Sequence, residues 1–375
     1  MADRVAMLVM VTSANNNKYY NMIQEGDRLT VEFGRIGSGK QTAYYPGYMW
    51  DKKYREKIRK GYQDQTANQT LSHEPVQATK YPALINALLE YAREHVHNNY
   101  TVTAGQVSPQ QLSEAQSILS RTALITDVTE INEHLIQLYT VIPRKMKKVT
   151  EHLISDHDQL ANILANEQDT LDTLAGQVGQ VMQPEQPEIK LPFSFIATTD
   201  DDHKTVTDML GAEAHRITDA LKVTNDQTDR EYNLAVIGGE ELLWHGSRNP
   251  NWWHIAKTGL MIKPPGIRTT GSMFGNGIYF ADLAKKSIGY TSVRNSYWAR
   301  GSSNIGVLGI YKVKLGKQLI VDSHQSWCSR LNSANLAARG QYDSVWGKRG
   351  RSLHNNEYIV YQPQQCTLRF LVQIS

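Results

Sequence analysis

The stretch TTGSMFGNGIYFADLAKKSIGY, residues 269–290, carries the most specific chemical pattern in the sequence. Its glycines Gly271, Gly275 and Gly277 allow a backbone to approach a ligand closely, and the apolar run after them predicts a strand that carries Tyr279. These glycines do not lie between a strand and a helix, so they do not fit the phosphate loop of a Rossmann fold. Taken alone, the stretch fits a ligand-binding loop or a glycine-rich turn before a core strand.

Two further stretches place polar side chains at the ends of apolar strands. LLWHGSRNP, residues 242–250, predicts a strand that ends near His245, and LHNNEYIVY, residues 353–361, places Glu357 at the entrance of another. A histidine at a strand end is more often a structural residue than a ligand. An isolated carboxylate in such a position more often protects a sheet edge than performs catalysis. Neither stretch decides the function alone.

Taken together, the three stretches resemble the catalytic domain of the poly(ADP-ribose) polymerases. WHGSR, MFGNGIYFADLAKKS and NNEYIVY occur in the order and at the approximate spacing of that family, and a Lys-Leu-Gly-Lys stretch ending at Lys317 matches as well. The His-Tyr-Glu triad of the family falls on His245, Tyr279 and Glu357. Three ordered motifs are far more specific than any single one. The resemblance implies an enzyme that uses NAD+ as co-substrate, transfers ADP-ribose, releases nicotinamide and needs no metal.

For the nicotinamide ring, the resemblance implies a sandwich with polar contacts at one edge. Gly246 is expected to supply backbone contacts to the carboxamide, and Ser287 is expected to add a hydroxyl. Tyr279 and Tyr290 are expected to provide the aromatic faces.

For the two riboses, the resemblance implies contacts from four other residues. His245 is expected to bond the adenosine ribose with Ser247 beside it, and Lys286 to lie near the nicotinamide ribose. Glu357 is expected to accept from the 2′-hydroxyl and to activate the attacking hydroxyl of the acceptor, where an oxocarbenium-like cation needs a nearby negative charge. Chain-building family members keep this glutamate, so Glu357 favours polymerisation.

Three positions depart from the family pattern. Ser272 and Asn276 stand where better-known members carry an aromatic residue and a lysine, and Met261 replaces a basic residue expected to approach the adenosine. We therefore expect a weakened adenosine contact and a raised KM for NAD+, with catalysis retained.

Residues 1–75 resemble a WGR domain, a small α+β module. Short β-type runs are broken by Asn-rich and Gly-rich turns and are followed by a helix from about Asp51 to Lys60. In YYNMIQEGDRLTVEFGRIGSGK the tryptophan of the family is replaced by Phe33, followed by Gly34 and Arg35. Phe33 either stacks on a nucleotide or packs in the core.

Residues 76–182 resemble the regulatory helical domain of the DNA-dependent members. Ser108, Pro109 and Gln111 predict a capped helix start, and an acidic helix from about Val149 to Val181 is expected to close the domain. In the family this domain obstructs the NAD+ site until binding to a DNA break loosens its helices.

The remaining boundaries complete a multidomain α+β fold class. Residues 183–192, QPEQPEIKLP, are predicted to be a linker, because they contain three prolines and no periodicity. Residues 193–375 are predicted to be a mostly β ADP-ribosyltransferase catalytic domain that follows an all-α regulatory domain and an α+β module. In its last run, the alternation from Cys366 to Ile374 predicts a half-buried strand.

The formal net charge of +3 conceals a strong asymmetry along the chain. Residues 1–70 carry 11 Lys and Arg against 7 Asp and Glu, whereas residues 151–220 carry 3 against 14. A basic module with interleaved aromatics is typical of nucleic-acid binding, although a solvated helix face has the same composition. The expected DNA contacts are Phe33, Arg35, Lys40, Lys52 and Lys53. Arg35 is also expected to bridge towards the helical domain.

Composition excludes several other classes. A 40% hydrophobic and 21% charged chain with 26 glycines fits a globular protein rather than a collagenous or disordered one. Cys328 and Cys366 are too few for a disulfide framework or a thiolate metal site, which suits a reducing compartment. We expect no membrane span and no secretory signal. The expected location is the nucleus in a eukaryote, or the cytoplasm near the nucleoid in a bacterium or phage host.

The resulting prediction is a DNA-break-stimulated poly(ADP-ribosyl)transferase that modifies proteins, including itself. Its expected partners are DNA strand breaks with 5′-phosphorylated ends and protein acceptors, and it is expected to be a monomer in solution. A mono-ADP-ribosyltransferase acting on protein or nucleic-acid ends is the first alternative. A DNA-binding scaffold with an inactive catalytic fold is the second.

Overall fold

The computed structural model describes residues 3–66, 82–101, 107–178, 193–263 and 272–375. The chain forms two compact units: Met1–Gln77 with Arg93–Pro187, and Ala78–Ala92 with Glu188–Ser375. The predicted linker at 183–192 and Gly271 of the glycine-rich stretch lie outside the described residues.

The first unit begins with a five-stranded antiparallel sheet. Its strands are β1 (Arg4–Thr12), β2 (Asn16–Glu25), β3 (Arg28–Arg35), β4 (Gln41–Pro46) and β5 (Gln63–Asp64), in the order β4-β3-β2-β1-β5. Helix α1 (Trp50–Arg59) follows β4 and confirms the helix predicted over Asp51 to Lys60. Trp50 of this helix is buried with Leu8, Met22 and Leu29 of the sheet, so the alternating strand residues and the helix share one core.

Four longer helices follow along the chain: α2 (Ala83–Asn99), α3 (Pro109–Thr122), α4 (Val128–Val141) and α5 (Leu160–Gln177). Helix α3 starts where the sequence predicts it. The Ser108 hydroxyl accepts from the Gln111 backbone N–H at 3.1 Å, and the Gln111 side chain accepts from the Ser108 N–H at 3.0 Å. This reciprocal cap satisfies two amide donors that a helix start would otherwise leave unpaired.

The prediction of a continuous acidic helix from Val149 to Val181 is wrong. Short 3₁₀ turns at Val149–His152 and His157–Gln159 precede α5, and the backbone between them is extended. The Asn132 carboxamide accepts from the Ile154 N–H and donates to the Ile154 carbonyl, both at 2.9 Å. A side chain that satisfies both backbone groups removes the advantage of helical hydrogen bonds at that residue.

The second unit contains two sheets. Its strands are β6 (Phe193–Ala197), β7 (Ile217–Asn225), β8 (Glu240–Gly246), β9 (Ile278–Phe280), β10 (Gly306–Lys314), β11 (Gln318–Val321), β12 (Ser344–Gly347), β13 (Glu357–Val360) and β14 (Cys366–Ile374). The larger sheet has the order β6-β7-β14-β10-β8, and the smaller one has the order β11-β12-β13-β9. All pairs are antiparallel except β11 with β12, which are parallel.

Strand β14 differs from its sequence-based prediction. It lies between β7 and β10, and seven of its nine residues are buried, including Thr367 and Leu371 on the face expected to meet solvent. A strand paired on both edges and covered on both faces does not need a polar face.

Five shorter helices belong to the second unit: α6 (Asp200–Leu210), α7 (Asp226–Leu234), α8 (Trp252–Thr258), α9 (Ala284–Ile288) and α10 (Ser333–Ala338). The first part of α2 also belongs to it, because Leu84, Ile85 and Leu88 are buried in one cluster with Trp252 and Phe280. The predicted domain boundaries stay predictions. Within the described ranges, no helix is long and apolar enough to span a bilayer.

His254 in α8 makes the stability of the second unit sensitive to acid. Burial, with a smaller contribution from the positive charge of Lys257, lowers its pKa to about 4. Neither ring nitrogen has a hydrogen-bond partner among the described residues. Because the folded state holds the neutral ring, its stabilisation is complete above the unfolded pKa of ~6.5 and is lost as pH falls towards about 4.

We predict that acidification through this window costs about 3 kcal/mol of unfolding free energy through His254 alone. Urea-unfolding midpoints measured from pH 7.5 to about pH 4.5 should fall less steeply in His254→Leu than in the wild type. His203→Leu, which changes an exposed histidine in α6, should leave the wild-type slope unchanged. Equal slopes for wild type and His254→Leu would contradict the assignment.

Candidate active site

The junction of the two sheets brings the three sequence motifs together. His245 lies near the end of β8, Tyr279 lies in β9, and Glu357 is the first residue of β13. Strands β9 and β13 pair directly, with Tyr279 opposite Ile359. Residues more than 100 positions apart in the chain therefore share one site.

His245 presents a hydrogen-bond acceptor. Its Nδ1 lies 3.0 Å from the carbonyl oxygen of Tyr279, and its ring makes edge contacts with Phe280 and Tyr311 at centroid distances of 5.8 and 6.0 Å. A carbonyl only accepts, so the hydrogen is assigned to Nδ1 and Nε2 is left as an acceptor. Burial lowers the pKa of the ring, which keeps it neutral. This state suits a ribose hydroxyl as donor.

Tyr279 acts as a fixed aromatic face. Its hydroxyl donates to the Gly275 carbonyl at 2.8 Å and accepts from the Phe274 N–H at 3.0 Å, and burial raises its pKa. Gly275 has φ +74°, and an added Cβ would overlap the Leu331 backbone. The turn therefore requires glycine, and the tyrosine hydroxyl is committed to holding it.

Gly246 lies directly against α9. An added Cβ on Gly246 would overlap the carbonyl oxygen of Ser287, which is itself buried. Glycine is required here, because the Ser287 backbone already occupies the space that a side chain would need. Ser247, the next residue, accepts a hydrogen bond from the Asn251 carboxamide at 3.0 Å.

Lys286 and Glu357 form a buried ion pair. The Lys286 ammonium lies 2.5 Å from Glu357 Oε1 and 3.2 Å from the Asn356 carbonyl. Burial lowers the pKa of Lys286, and the charge of Glu357 opposes that effect. Among the described residues, Glu357 Oε2 has no hydrogen-bond partner. One carboxylate oxygen is therefore fixed while the other can accept from a hydroxyl.

Tyr290 forms a second aromatic wall close to this carboxylate. Burial and the negative charge of Glu357 raise the pKa of Tyr290 to about 12. The Trp298 ring stacks beside it at a centroid distance of 6.1 Å and an interplanar angle of 19°. Trp298 was not predicted from the sequence. An arginine-flanked Tyr-Trp pair in a Ser-rich and Gly-rich segment was the available indication.

The site has the features that NAD+ requires. A buried carboxylate oxygen without a partner among the described residues and a histidine acceptor match the positive charge and the hydroxyls of this co-substrate. No group of three or more His, Cys, Asp or Glu side chains within the described ranges could hold a metal.

Comparisons with known proteins agree with this geometry. Residues 201–375 match the family model of the poly(ADP-ribose) polymerase catalytic domain. The chain belongs to the poly(ADP-ribose) polymerase family. Its catalytic domain is of the NAD+ ADP-ribosyltransferase class.

Relatives of this catalytic domain occur in viruses, plants and animals. Uncharacterized protein 101L of Invertebrate iridescent virus 6 is 37% identical over 178 residues, covering 45% of this chain and 76% of that protein. Poly [ADP-ribose] polymerase 2 of Arabidopsis thaliana is 25% identical over 340 residues, covering 77% of this chain and 52% of that protein. The Homo sapiens protein of the same name is 32% identical over 190 residues, covering 42% and 30%. The chain thus spans about half, or less, of these two polymerases.

Asn276, one of the three departures from the family pattern, has a local structural role. The Asn276 side chain donates to the Lys263 carbonyl at 2.7 Å, and its backbone N–H donates to the Leu331 carbonyl at 3.0 Å. Met261 is 52% exposed and Ser272 is half-buried. The weakened adenosine contact stays a prediction.

The residues predicted to bind DNA lie in the first unit. The Phe33 ring packs 5.8 Å from the Tyr20 ring against the sheet core, as the core-packing alternative expects. Lys40 pairs with Glu32 at 2.6 Å, and the Lys53 ammonium lies 4.1 Å from the centre of the Tyr45 ring. Lys52 is exposed. Their contact with DNA stays a prediction.

Arg35 uses its guanidinium inside this unit. It donates to the Asn15 carbonyl at 2.9 Å and to the carbonyls of Met146 and Lys147 at 3.3 and 2.6 Å. The structure therefore places Arg35 between the sheet and the segment that precedes α5.

Asn356 is a positioning residue that the sequence reasoning missed, although it lies inside the NNEYIVY motif. Its carboxamide donates to Asp282 at 2.7 Å and accepts from the Arg349 N–H at 2.9 Å. Its backbone carbonyl accepts from Lys286, the partner of Glu357. Asn356 thus fixes the peptide unit that precedes the carboxylate.

We predict that Asn356→Ala lowers kcat about tenfold, the factor that corresponds to ~1.4 kcal/mol of transition-state stabilisation. KM for NAD+ should change less than kcat, because the aromatic walls and the histidine acceptor are retained. Steady-state nicotinamide release measures both constants. Asn355→Ala is the matched control, and an Asn356→Ala enzyme with the same kcat as this control would contradict the role.

Proposed function

We propose that the chain is a DNA-break-stimulated poly(ADP-ribosyl)transferase that cleaves NAD+, releases nicotinamide and transfers ADP-ribose to proteins, including itself. The observation that carries the proposal is the buried Glu357 carboxylate, which has one oxygen on Lys286 and the other without a partner among the described residues. Such a group can serve both the donor ribose and an attacking hydroxyl.

The binding half of the proposal rests on neutral groups. Tyr279 and Tyr290 supply the faces for the nicotinamide ring, and the Gly246 backbone supplies the contacts for its carboxamide. Nε2 of the neutral His245 ring accepts a hydrogen bond from a ribose hydroxyl of the adenosine. Ser287 lies against Gly246 and adds a hydroxyl at the carboxamide edge.

The chemical half rests on charge. Glu357 stabilises the positive charge that develops on the ribose as the N-glycosidic bond breaks and its electron pair leaves with nicotinamide. Glu357 then receives the proton of the acceptor hydroxyl as that oxygen bonds to the ribose carbon. Lys286 holds the carboxylate in place through Oε1, so it helps to orient the acceptor oxygen.

The same carboxylate supports polymer formation over single transfer. A ribose hydroxyl at the end of a growing chain is a weak nucleophile, and it gains from a positioned base. A mono-ADP-ribosyltransferase acting on protein or nucleic-acid ends remains the alternative, to be distinguished by product size. The complete set of His245, Tyr279 and Glu357 argues against an inactive scaffold.

Stimulation by DNA is supported by features of the first unit. Helix α1 presents Lys52 and Arg55 to solvent, as expected for a phosphate-binding surface. Two residues of the five-stranded sheet in this unit bond to the segment that follows α4. Arg35 donates to the carbonyls of residues 146 and 147, and the Asn17 carboxamide donates to the Arg144 carbonyl at 3.0 Å. These bonds offer a physical link from a DNA-binding sheet to the helical part of its own unit.

DNA breaks with 5′-phosphorylated ends would engage the basic module, and proteins would accept the ADP-ribose. In a eukaryote this chemistry belongs in the nucleus, and in a bacterium or phage host it belongs near the nucleoid.

Incorporation of labelled NAD+ tests activity, product class and DNA dependence together. Nicked and blunt 5′-phosphorylated duplexes should each give a high-mass smear, and protein without DNA should give little product. Glu357→Gln should lower nicotinamide release about 10²- to 10⁴-fold, as expected for loss of a positioned general base. A single discrete ADP-ribose increment would favour the mono-transferase, and no turnover with any DNA would eliminate the enzyme.

The basic helix gives a separate prediction. Replacing Lys52 and Lys53 together by Gln should raise the DNA concentration needed for half-maximal stimulation. If each lysine neutralises one phosphate, the slope of log K against log salt should become shallower by about 1.8. Lys60→Gln is the matched control, because its ammonium already pairs with Glu56 at 2.7 Å. If the double variant and the control have the same slope, Lys52 and Lys53 do not contact the DNA phosphates.

A further inference from the structure

The segment 291–305, between α9 and β10, displays two large aromatic side chains to solvent. Tyr297 is 77% exposed and Trp298 is 46% exposed, and their rings meet edge to face at a centroid distance of 4.7 Å. Exposed aromatic surface forgoes the free energy that burial would contribute. An adjacent exposed pair of this size therefore calls for a binding role.

The segment holds these rings in a defined place. The N–H groups of Trp298 and Ala299 both donate to the Gly289 carbonyl, at 2.9 and 3.0 Å. Arg294 and Ser303 are also tied by a backbone hydrogen bond of 2.7 Å. The Gly301 backbone sits so close to Ser292 that any Cβ there would overlap its carbonyl oxygen. Such pre-ordering lowers the entropic cost of binding a ligand.

The electrostatic character of this region selects an anionic ligand. Between Asp282 and Asp322 the sequence contains seven Lys or Arg side chains and no Asp or Glu, and two of the seven, Lys286 and Lys312, pair with Glu357 and Glu240. Two others, Arg294 and Arg300, are exposed and flank the aromatic pair in the sequence. Arginine binds phosphate through a planar fork of donors, and its plane also stacks on bases and aromatic rings. A ligand with alternating flat bases and phosphates fits both features.

The aromatic pair is also close to the reaction site. Trp298 stacks beside Tyr290, and the charge of Glu357 contributes to the raised pKa of Tyr290. A ligand bound at Tyr297 and Trp298 is thereby placed next to the aromatic wall of the NAD+ site.

We propose that Tyr297 and Trp298, flanked by Arg294 and Arg300, form a platform that binds single-stranded nucleic acid beside the catalytic pocket. Bases stack on the two rings and phosphates meet the two guanidinium groups, the combination used by proteins that bind single strands without sequence preference. This platform belongs to the second unit and is separate from the duplex contacts proposed for the basic helix. It goes beyond the proposed function, because the binding requires no NAD+ turnover.

The first experiment locates the contact on the full chain without NAD+. A single-stranded DNA 12-mer containing 5-iodouracil is photo-crosslinked to the protein, which is then digested with trypsin. Cleavage after Arg294 and Arg300 releases NSYWAR, residues 295–300, which contains both aromatics. We expect crosslinks on this peptide, and competition by an unlabelled single strand. Crosslinks found only on other peptides would overturn the proposal.

The second experiment measures the contribution of each group by fluorescence anisotropy with the same 12-mer. Tyr297→Ala should weaken binding about 5- to 150-fold, the range for loss of one base–aromatic stack. Replacing Arg294 and Arg300 together by Gln should make the slope of log K against log salt shallower by about 1.4. Replacing both by Lys should retain that slope, which separates charge from a folding defect.

A matched control is available within the second unit. Trp327 is half-buried, and its ring is already covered by the Arg339 guanidinium at 4.1 Å, so Trp327→Ala should bind the 12-mer like the wild type. The Lys52→Gln, Lys53→Gln double variant should keep the NSYWAR crosslink. If Tyr297→Ala and Trp298→Ala bind the strand as tightly as Trp327→Ala, the platform serves another partner, such as a protein, and the proposal is rejected. Because these assays contain no NAD+, they can fail while the transferase assay succeeds, and the reverse.

Discussion

Two backbone hydrogen bonds between Trp244 and Ala281 fix the arrangement on which the candidate site depends. The Trp244 N–H donates to the Ala281 carbonyl at 2.8 Å, and the Ala281 N–H donates to the Trp244 carbonyl at 3.0 Å. They join the last part of β8 in the larger sheet to the residue that directly follows β9 of the smaller one. His245, one residue further, is thereby held beside the Tyr279 carbonyl, and the pairing of β9 with β13 then places Glu357. A small register change at this junction would move all three residues, because side chains alternate between the faces of a strand.

Around that junction, close packing limits which residues fit, and one ion pair fixes the catalytic carboxylate. Close backbone contacts at Gly246 and Gly275 exclude other side chains, while Tyr279 uses its hydroxyl to hold the glycine turn. Among the described residues of the motif triad, the hydrogen-bond acceptors left for a ligand are His245 Nε2 and Glu357 Oε2. A buried carboxylate without a cation would be costly, so the Lys286 contact at Oε1 is what allows Oε2 to stay open. The site is therefore preorganised for a positively charged, hydroxyl-rich ligand before that ligand binds.

Local patterns predicted those parts of the structure that depend on local interactions. The capping box at Ser108 and the helix at Trp50–Arg59 follow from neighbouring residues, and both are confirmed. The prediction of a continuous acidic helix was wrong because Asn132, 22 residues earlier in the chain, forms hydrogen bonds with both the N–H and the carbonyl of Ile154. The motif residues of the catalytic site came from a family resemblance, and that family is confirmed. Trp298 and the Asn356–Asp282 bond were missed because each gains its role only through a tertiary contact.

The first unit shows how a signal from the sheet could reach its helices. Arg144 makes contacts in two directions. Its backbone carbonyl accepts from the Asn17 carboxamide of β2, and its guanidinium pairs with the buried Glu167 of α5 at 2.6 Å. Breaking one partner of such a buried pair typically costs 3–5 kcal/mol, so Arg144 cannot move freely away from α5. Arg35 holds the next residues, 146 and 147, from the sheet side. The segment at 144–147 is thus bound on both sides, and a DNA-induced shift of the sheet must either pull on α5 or break these bonds. Either outcome changes the stability of the helical part, as the proposed DNA stimulation requires.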